Sequence, residues 1–184
     1  MVKIIVEGDD DKNFFIAFLN HLVKNKELEK RDYKSFFRVT GGKSKLLNSN
    51  HKEYKNLTPQ IEAGKIKKLL FIFDCDFEKD DKNSNGMDNS KKCFDDFLSK
   101  FNWKIEVESH IFNKNLDYFL MKTIKNKACY KEFSDLVECL KINSIKKNKK
   151  PMANLYRDLY PYPEFDFENE NFDELKSKLI KLFA

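Results

Sequence analysis

No run of apolar residues in the 184-residue sequence approaches the roughly 20 that a membrane-spanning helix needs, so no such helix is expected. The N-terminus shows no charged-then-apolar leader pattern and runs straight into a strand-like segment, which makes a cytoplasmic protein the expectation. Among the four cysteines, Cys75, Cys93, Cys129 and Cys139, no two stand at C-x-x-C spacing. That absence argues against a zinc site and against a disulfide framework, and leaves reduced, structural thiols as the expectation. There is no internal repeat and no long low-complexity segment.

What is present is globular in character. The chain is 41% hydrophobic and 35% charged, and its 18 phenylalanines point to a core filled with aromatic volume. Its length allows one domain with an elaboration, or two small ones. The net charge of +5 is informative only where basic residues cluster, because phosphate binding needs local positive charge.

The segment "IIVEGDDDKNFFIAFL", residues 4–19, sets the chemical question. Residues 2–7 read as a short buried strand ended by Gly8. Residues 10–25 read as a helix, with Phe14, Phe15, Phe18, Leu19 and Leu22 forming one apolar stripe. Residues 34–40 read as a second strand closing on Gly41-Gly42. A helical segment from near Ser44 follows, with a restart expected at Thr58-Pro59. Residues 68–74, "KLLFIFD", form a continuous apolar run that suits a parallel strand covered on both faces. A polar loop over 79–90 precedes a helix over 91–101. Residues 104–112 then alternate apolar and polar, as expected of a strand near a sheet edge with one exposed face.

Strand and helix thus alternate up to residue 112, which predicts an α/β fold: a mainly parallel, four-stranded sheet flanked by helices, Rossmann-like in layout. Beyond it, residues 113–184 read as a helical C-terminal extension packed on the first domain. Helices are expected over 115–126, 130–142, "ANLYRDLY" and "FDELKSKLIKLF", with a basic linker at 146–151 and a Pro-punctuated loop before the last helix.

Two of the buried strands end in acids: the first in Glu7, the third in Asp74-Cys75-Asp76-Phe77-Glu78. In a parallel sheet all carboxyl ends lie on one edge, where ligands bind. The pattern therefore gathers Glu7, Asp74, Asp76 and Glu78, whose mutual repulsion calls for a cation or raised pKa values. Hard oxygen ligands favour Mg²⁺ or Mn²⁺. Asp9, Asp10 and Asp11 have a plainer use as caps of the first helix. Cations suited to a phosphate are Lys12, Lys43, Lys45 and the lysines of 146–150. Gly41-Gly42-Lys43 is the best local candidate, since two glycines let the backbone approach closely. Tyr156, Tyr160 and Tyr162 near Arg157 are candidates for base stacking. His21, His51 and His110 are expected at the surface, with no part in the chemistry.

These residues resemble the Toprim domain, shared by topoisomerases, primases, OLD-family nucleases and small ribonucleases. The resemblance rests on "VEG" at 6–8, on Asp11 four residues after the glutamate, on "VTGG" at 39–42 and on "FDCDFE" at 73–78, in the family's order over residues 1 to about 112. Small stand-alone bacterial Toprim-like proteins of unknown function look most similar. In those a Leu-Glu opens the helix after the fourth strand, and Asp117 in "NKNLDYFLMKTI" takes that place here. The Gly-Glu that follows the Asp-x-Asp run in small Toprim ribonucleases is replaced by Lys79-Asp80. The resemblance implies Mg²⁺-dependent phosphodiester hydrolysis on RNA or DNA. Asp74 and Asp76 would hold the metal with Glu78 as an outer or third ligand, and Glu7 would act as general acid/base or share a second metal. The alternative is a non-catalytic Toprim-like module that binds metal and nucleotide or nucleic acid. A haloacid-dehalogenase-like phosphatase fits less well, because its Asp-x-Asp normally lies on the first strand.

Overall fold

The computed structural model describes residues 1–78, 80–123, 131, 132, 135 and 165–184. The chain opens with strand β1 (Val2–Val6) and helix α1 (Asp9–Lys24). A short 3-10 turn (Tyr33–Phe36) leads into β2 (Phe37–Val39), followed by α2 (Lys43–Leu46) and α3 (Lys52–Glu62). Next come β3 (Lys68–Asp74), α4 (Met87–Leu98), β4 (Glu106–Phe112) and α5 (Leu116–Thr123). A second 3-10 turn (Glu170–Phe172) precedes the last helix, α6 (Asp173–Phe183). The sheet has the order β2-β1-β3-β4 and every pair is parallel, so the α/β architecture with a four-stranded parallel sheet is as the alternation predicts. No helix among the described residues is long and apolar enough to cross a membrane.

The chain divides into two compact units, residues 1–115 with 174–184, and residues 116–173. The first unit includes the C-terminal helix, which the sequence pattern groups with everything after residue 112. In the second unit, Phe172 packs edge-on against Phe119 and Phe167, with ring centroids 5.2 and 5.4 Å apart. The expected helices over 130–142 and "ANLYRDLY", the lysines of 146–150 and the Tyr156–Tyr162 aromatics lie outside the described residues, apart from residues 131, 132 and 135.

Alternation along the strands sorts the core of the first unit into two layers. Ile5, Leu69, Phe71 and Phe73 join Tyr54, Leu57 and Ile61 of α3 and Phe94 and Phe97 of α4 in one buried cluster. Phe71 stands at its centre, fully buried, with rings of Phe94 and Phe97 at 5.2 and 5.6 Å. On the opposite face, Phe15 of α1 meets Phe112 of β4 at 6.2 Å, and α6 runs along β4. There Lys178 Nζ donates to the Ser109 carbonyl, and Lys181 pairs with Glu106 and Glu108.

Three expectations need correcting. The helix after β2 does not restart at Thr58-Pro59. It breaks at 47–51, where Asn48 Oδ1 accepts the Asn50 N–H, and Pro59 lies inside α3. Proline there orphans the Lys55 carbonyl, but Lys55 and Pro59 are both exposed, so water can satisfy the lost bond. His110 is not at the surface: β4 is indeed an edge strand, yet α6 covers its even-numbered face and leaves His110 only 7% exposed. His51 is half-buried at the start of α3, with a buried Nδ1 that has no hydrogen-bond partner. In addition, α4 begins at Met87, four residues before the expected start, because Gly86 turns the chain directly into it.

Candidate active site at the carboxyl edge of the sheet

With all four strands parallel, their carboxyl ends form one edge of the sheet. The chain leaves β1 towards β2 on one side and leaves β3 towards β4 on the other, so the strand order reverses between β1 and β3. At such a switch point the crossovers diverge and open a crevice for a ligand. At this edge stand Glu7, just beyond β1, and the segment from Asp74, the last residue of β3, to Glu78.

Glu7 sits half-buried at this switch point. Its Oε1 accepts the backbone N–H of Asp74 at 2.7 Å, and its main-chain carbonyl accepts the N–H groups of Gly41 and Gly42 at 2.7 and 3.0 Å. One residue thereby joins the ends of β1, β2 and β3. Burial pushes its carboxyl pKa up to about 7. The charges of Asp11 and Asp76 push the same way, against the lowering effects of the Asp74 N–H and of Lys43. A carboxyl poised near neutrality can take or give a proton at physiological pH.

Asp11, in the first turn of α1, accepts the Gly8 N–H at 2.8 Å, so it caps the helix while adding negative charge beside Glu7. Together with Asp9 and Asp10 it places three acids at the positive end of the helix dipole.

Asp76 lies two residues beyond the end of β3 with φ +58, so the chain has already left the extended state there. The rule that residues two apart on a strand point alike therefore does not describe Asp74 and Asp76. The Asp76 N–H donates to the Lys114 carbonyl at 2.7 Å, which ties this turn to the end of β4.

Lys43 occupies the heart of the cluster. Its side chain, only 10% exposed, donates to the Cys75 carbonyl at 2.9 Å and to Asn85 Oδ1 at 3.1 Å, and its Nζ lies 3.6 Å from Asp76 Oδ2. The lysine expected to meet a phosphate is thus an internal counter-ion of the acids, and it staples the turn after β2 to the loop after β3. The Gly41 and Gly42 amides, expected to approach a phosphate, are committed to Glu7, with φ +89 and +122 at the reversal.

Glu78 is exposed in the turn after β3, with its Cβ close against Gly86. Lys12 lies in α1 with its backbone N–H bonded to the Gly8 carbonyl. Asp117 belongs to α5 of the second unit. Asn85 is the site residue that sequence reasoning missed. Its only signal was the Asn-Gly pair of "NSNG", which reads simply as a turn.

Among the described residues, no group of three or more His, Cys, Asp or Glu side chains is placed to hold a metal ion. The donor chemistry still suits a hard cation. The acids of the cluster are all carboxylates, the charges of Asp11 and Asp76 help to raise the Glu7 pKa, and Mg²⁺ commonly takes one or two carboxylates and fills its other positions with water and phosphate.

A family model described as "Protein of unknown function (DUF3226)" matches residues 1–155. No curated protein and no solved structure matches the chain significantly.

Proposed function

The chain belongs to the family described as Protein of unknown function (DUF3226), and from the site itself we propose a Toprim-type, Mg²⁺-dependent phosphodiesterase that cleaves nucleic acid in the cytoplasm. One observation carries this reading: at the β1/β3 switch point Glu7 accepts the Asp74 N–H at 2.7 Å and feels the charges of both Asp11 and Asp76, so acids from two distant stretches of the chain meet there. Packing does not call for such an arrangement, since like charges repel at the end of a hydrophobic strand.

Asp74 and Asp76 would hold the metal, with Glu78 reaching in from the neighbouring turn. When bound, Mg²⁺ would supply Lewis-acid polarisation of a phosphoryl oxygen. The chain's own residues do the rest. Glu7 moves a proton at its carboxylate. Asn85 and the Cys75 carbonyl hold the Lys43 ammonium against Asp76, which sets the local charge balance. The Glu7–Asp74 hydrogen bond fixes the distance between the two central strand ends.

The test incubates the full chain with single- and double-stranded RNA and DNA, with Mg²⁺, Mn²⁺ or EDTA, beside Asp74→Ala/Asp76→Ala. Metal-dependent cleavage that disappears in the variant is the expected result. Cleavage that survives both EDTA and the double substitution would sink the proposal.

A second reading, a module that binds nucleic acid without turnover, draws support from Lys43. That cation already sits 3.6 Å from Asp76 and partly neutralises the cluster without any metal. Saturable nucleic-acid binding with no cleavage under any of these conditions would favour it.

A further inference from the structure

At the opposite, amino-terminal edge of the sheet lies an open cavity of about 590 Å³ that the carboxylate site does not use. Ile61, Ile66, Trp103 and Ile105 supply its apolar wall, and Lys67 and Lys104 its charge. Both lysines are exposed, and their side chains make no hydrogen bond or ion pair among the described residues. The acid in the lining, Glu106, shares Lys181 with Glu108, at 3.0 Å from Glu106, and the two lysines leave the lining net positive. Lys65 and Lys100, also exposed, extend that charge along the two turns that lead into β3 and β4.

Trp103 is held as a rigid platform. Its indole stacks on Phe101 with centroids 4.0 Å apart and planes at 18°, and its Nε1 donates to Thr58 Oγ1 at 3.1 Å. With its polar atom satisfied and its ring fixed, it can contribute stacking without a further loss of side-chain freedom. Trp103 is partly exposed and lines the cavity, and a fixed aromatic ring beside unpaired lysines is the combination that binds single-stranded nucleic acid: bases stack on the ring and phosphates meet the ammonium groups.

We propose that this groove, built on Trp103, Lys67 and Lys104, is a binding site for single-stranded nucleic acid, separate from the carboxylate cluster. The seven residues of β3 place the two edges roughly 20 Å apart, a span of several nucleotides. The inference stands on the groove alone and does not require the carboxylate site to be catalytic.

Trp103 is the sole tryptophan of the chain, so tryptophan-selective fluorescence reports from this groove. The experiment titrates the full chain with a decameric single-stranded oligonucleotide, a duplex of the same sequence and a mononucleotide, all in EDTA. Labelled-oligonucleotide anisotropy is followed in parallel. The expected result is saturable quenching by the single strand that weakens as salt rises. Lys67→Glu/Lys104→Glu should weaken binding about tenfold or more with an unchanged melting temperature, because both side chains are exposed. Asp74→Ala/Asp76→Ala should leave quenching intact, which separates failure of this proposal from failure of the phosphodiesterase reading. No quenching, quenching indifferent to the lysine variant, or equal affinity for mononucleotide, duplex and decamer would overturn it.

Discussion

The carboxylate of Glu7 accepts the backbone N–H of Asp74 at 2.7 Å, so the residue that follows β1 is bonded to the residue that ends β3, 67 positions later. The bond spans the point where the strand order reverses, and it puts a charged acceptor where a neutral one would serve the fold equally well. Glu7→Gln keeps an acceptor for the Asp74 N–H and removes the charge. The folded pKa of Glu7, about 7, lies above the ordinary 4.5, so its contribution to stability is fully present below about pH 4.5 and is lost as pH rises through 7. In EDTA at pH 8, Glu7→Gln should therefore be more stable than the native chain by roughly 1–3 kcal/mol, with the gap closing towards pH 4.5. Urea unfolding at the two pH values checks this, and a gap of the same size at both would refute it. Glu7→Ala, which strands the Asp74 N–H, should lose roughly 1–3 kcal/mol relative to Glu7→Gln.

Lys43 holds two loops and one acid at once. Lys43→Met keeps the apolar stem but leaves the Cys75 carbonyl and Asn85 Oδ1 without their shared donor. A loss of roughly 1–3 kcal/mol in chemical denaturation is expected. Because Lys43 holds the Glu7 pKa down, the variant should also titrate Glu7 higher than the native chain does, as read by carboxyl carbon NMR. An unmoved titration would show that Lys43 is electrostatically remote from Glu7.

How far the sequence reveals these features depends on the range of the signal. The runs "KIIV" and "KLLFIFD" announce their strands because a parallel strand covered on both faces is apolar at every position. The collection of Glu7 with Asp74 and Asp76 follows from that, since parallel strands share a carboxyl edge. What stays hidden is long-range. Lys43 looks like a phosphate ligand until Asn85, 42 residues on, and the Cys75 carbonyl claim its ammonium. Period-2 alternation in "EVESHIF" marks two unlike faces of β4, but it cannot show that a helix from the end of the chain returns to cover one of them. Pro59 misleads for a local reason: a helix tolerates an internal proline where the orphaned carbonyl meets water.

Gly86 enters α4 at φ +87, a conformation that side chains disfavour, and a Cβ there would stand 3.3 Å from Glu78 Cβ. The Gly86 N–H also donates to the Cys75 carbonyl, the group that receives the Lys43 ammonium. Gly86→Ala should cost about 1–3 kcal/mol in urea unfolding and should loosen the Lys43 staple. A variant as stable as the native chain would show that this loop yields without strain.

His110 gives the first unit an acid-sensitive seam. Burial under α6, aided by the charge of Lys178, lowers its pKa to about 4, and Glu174, with Oε1 3.7 Å from Nδ1, only partly opposes them. The Phe112 ring lies edge-on at 4.8 Å, and burial holds the imidazole neutral. The folded pKa lies below the ordinary 6.5, so the contribution to stability is complete above about pH 6.5 and is lost as pH falls towards 4. The loss should reach roughly 2–3 kcal/mol at pH 4. Replacing the imidazole by a group that does not titrate, as in His110→Gln, should remove this component while leaving the background acid sensitivity of the carboxylates. Urea unfolding of both proteins at pH 7, 5.5 and 4 separates the two effects. Parallel pH dependences would mean that α6 lifts from β4 and hydrates His110 at no cost. Converging stabilities at pH 4 would show that α6 stays seated and that the buried imidazole sets the acid limit of the fold.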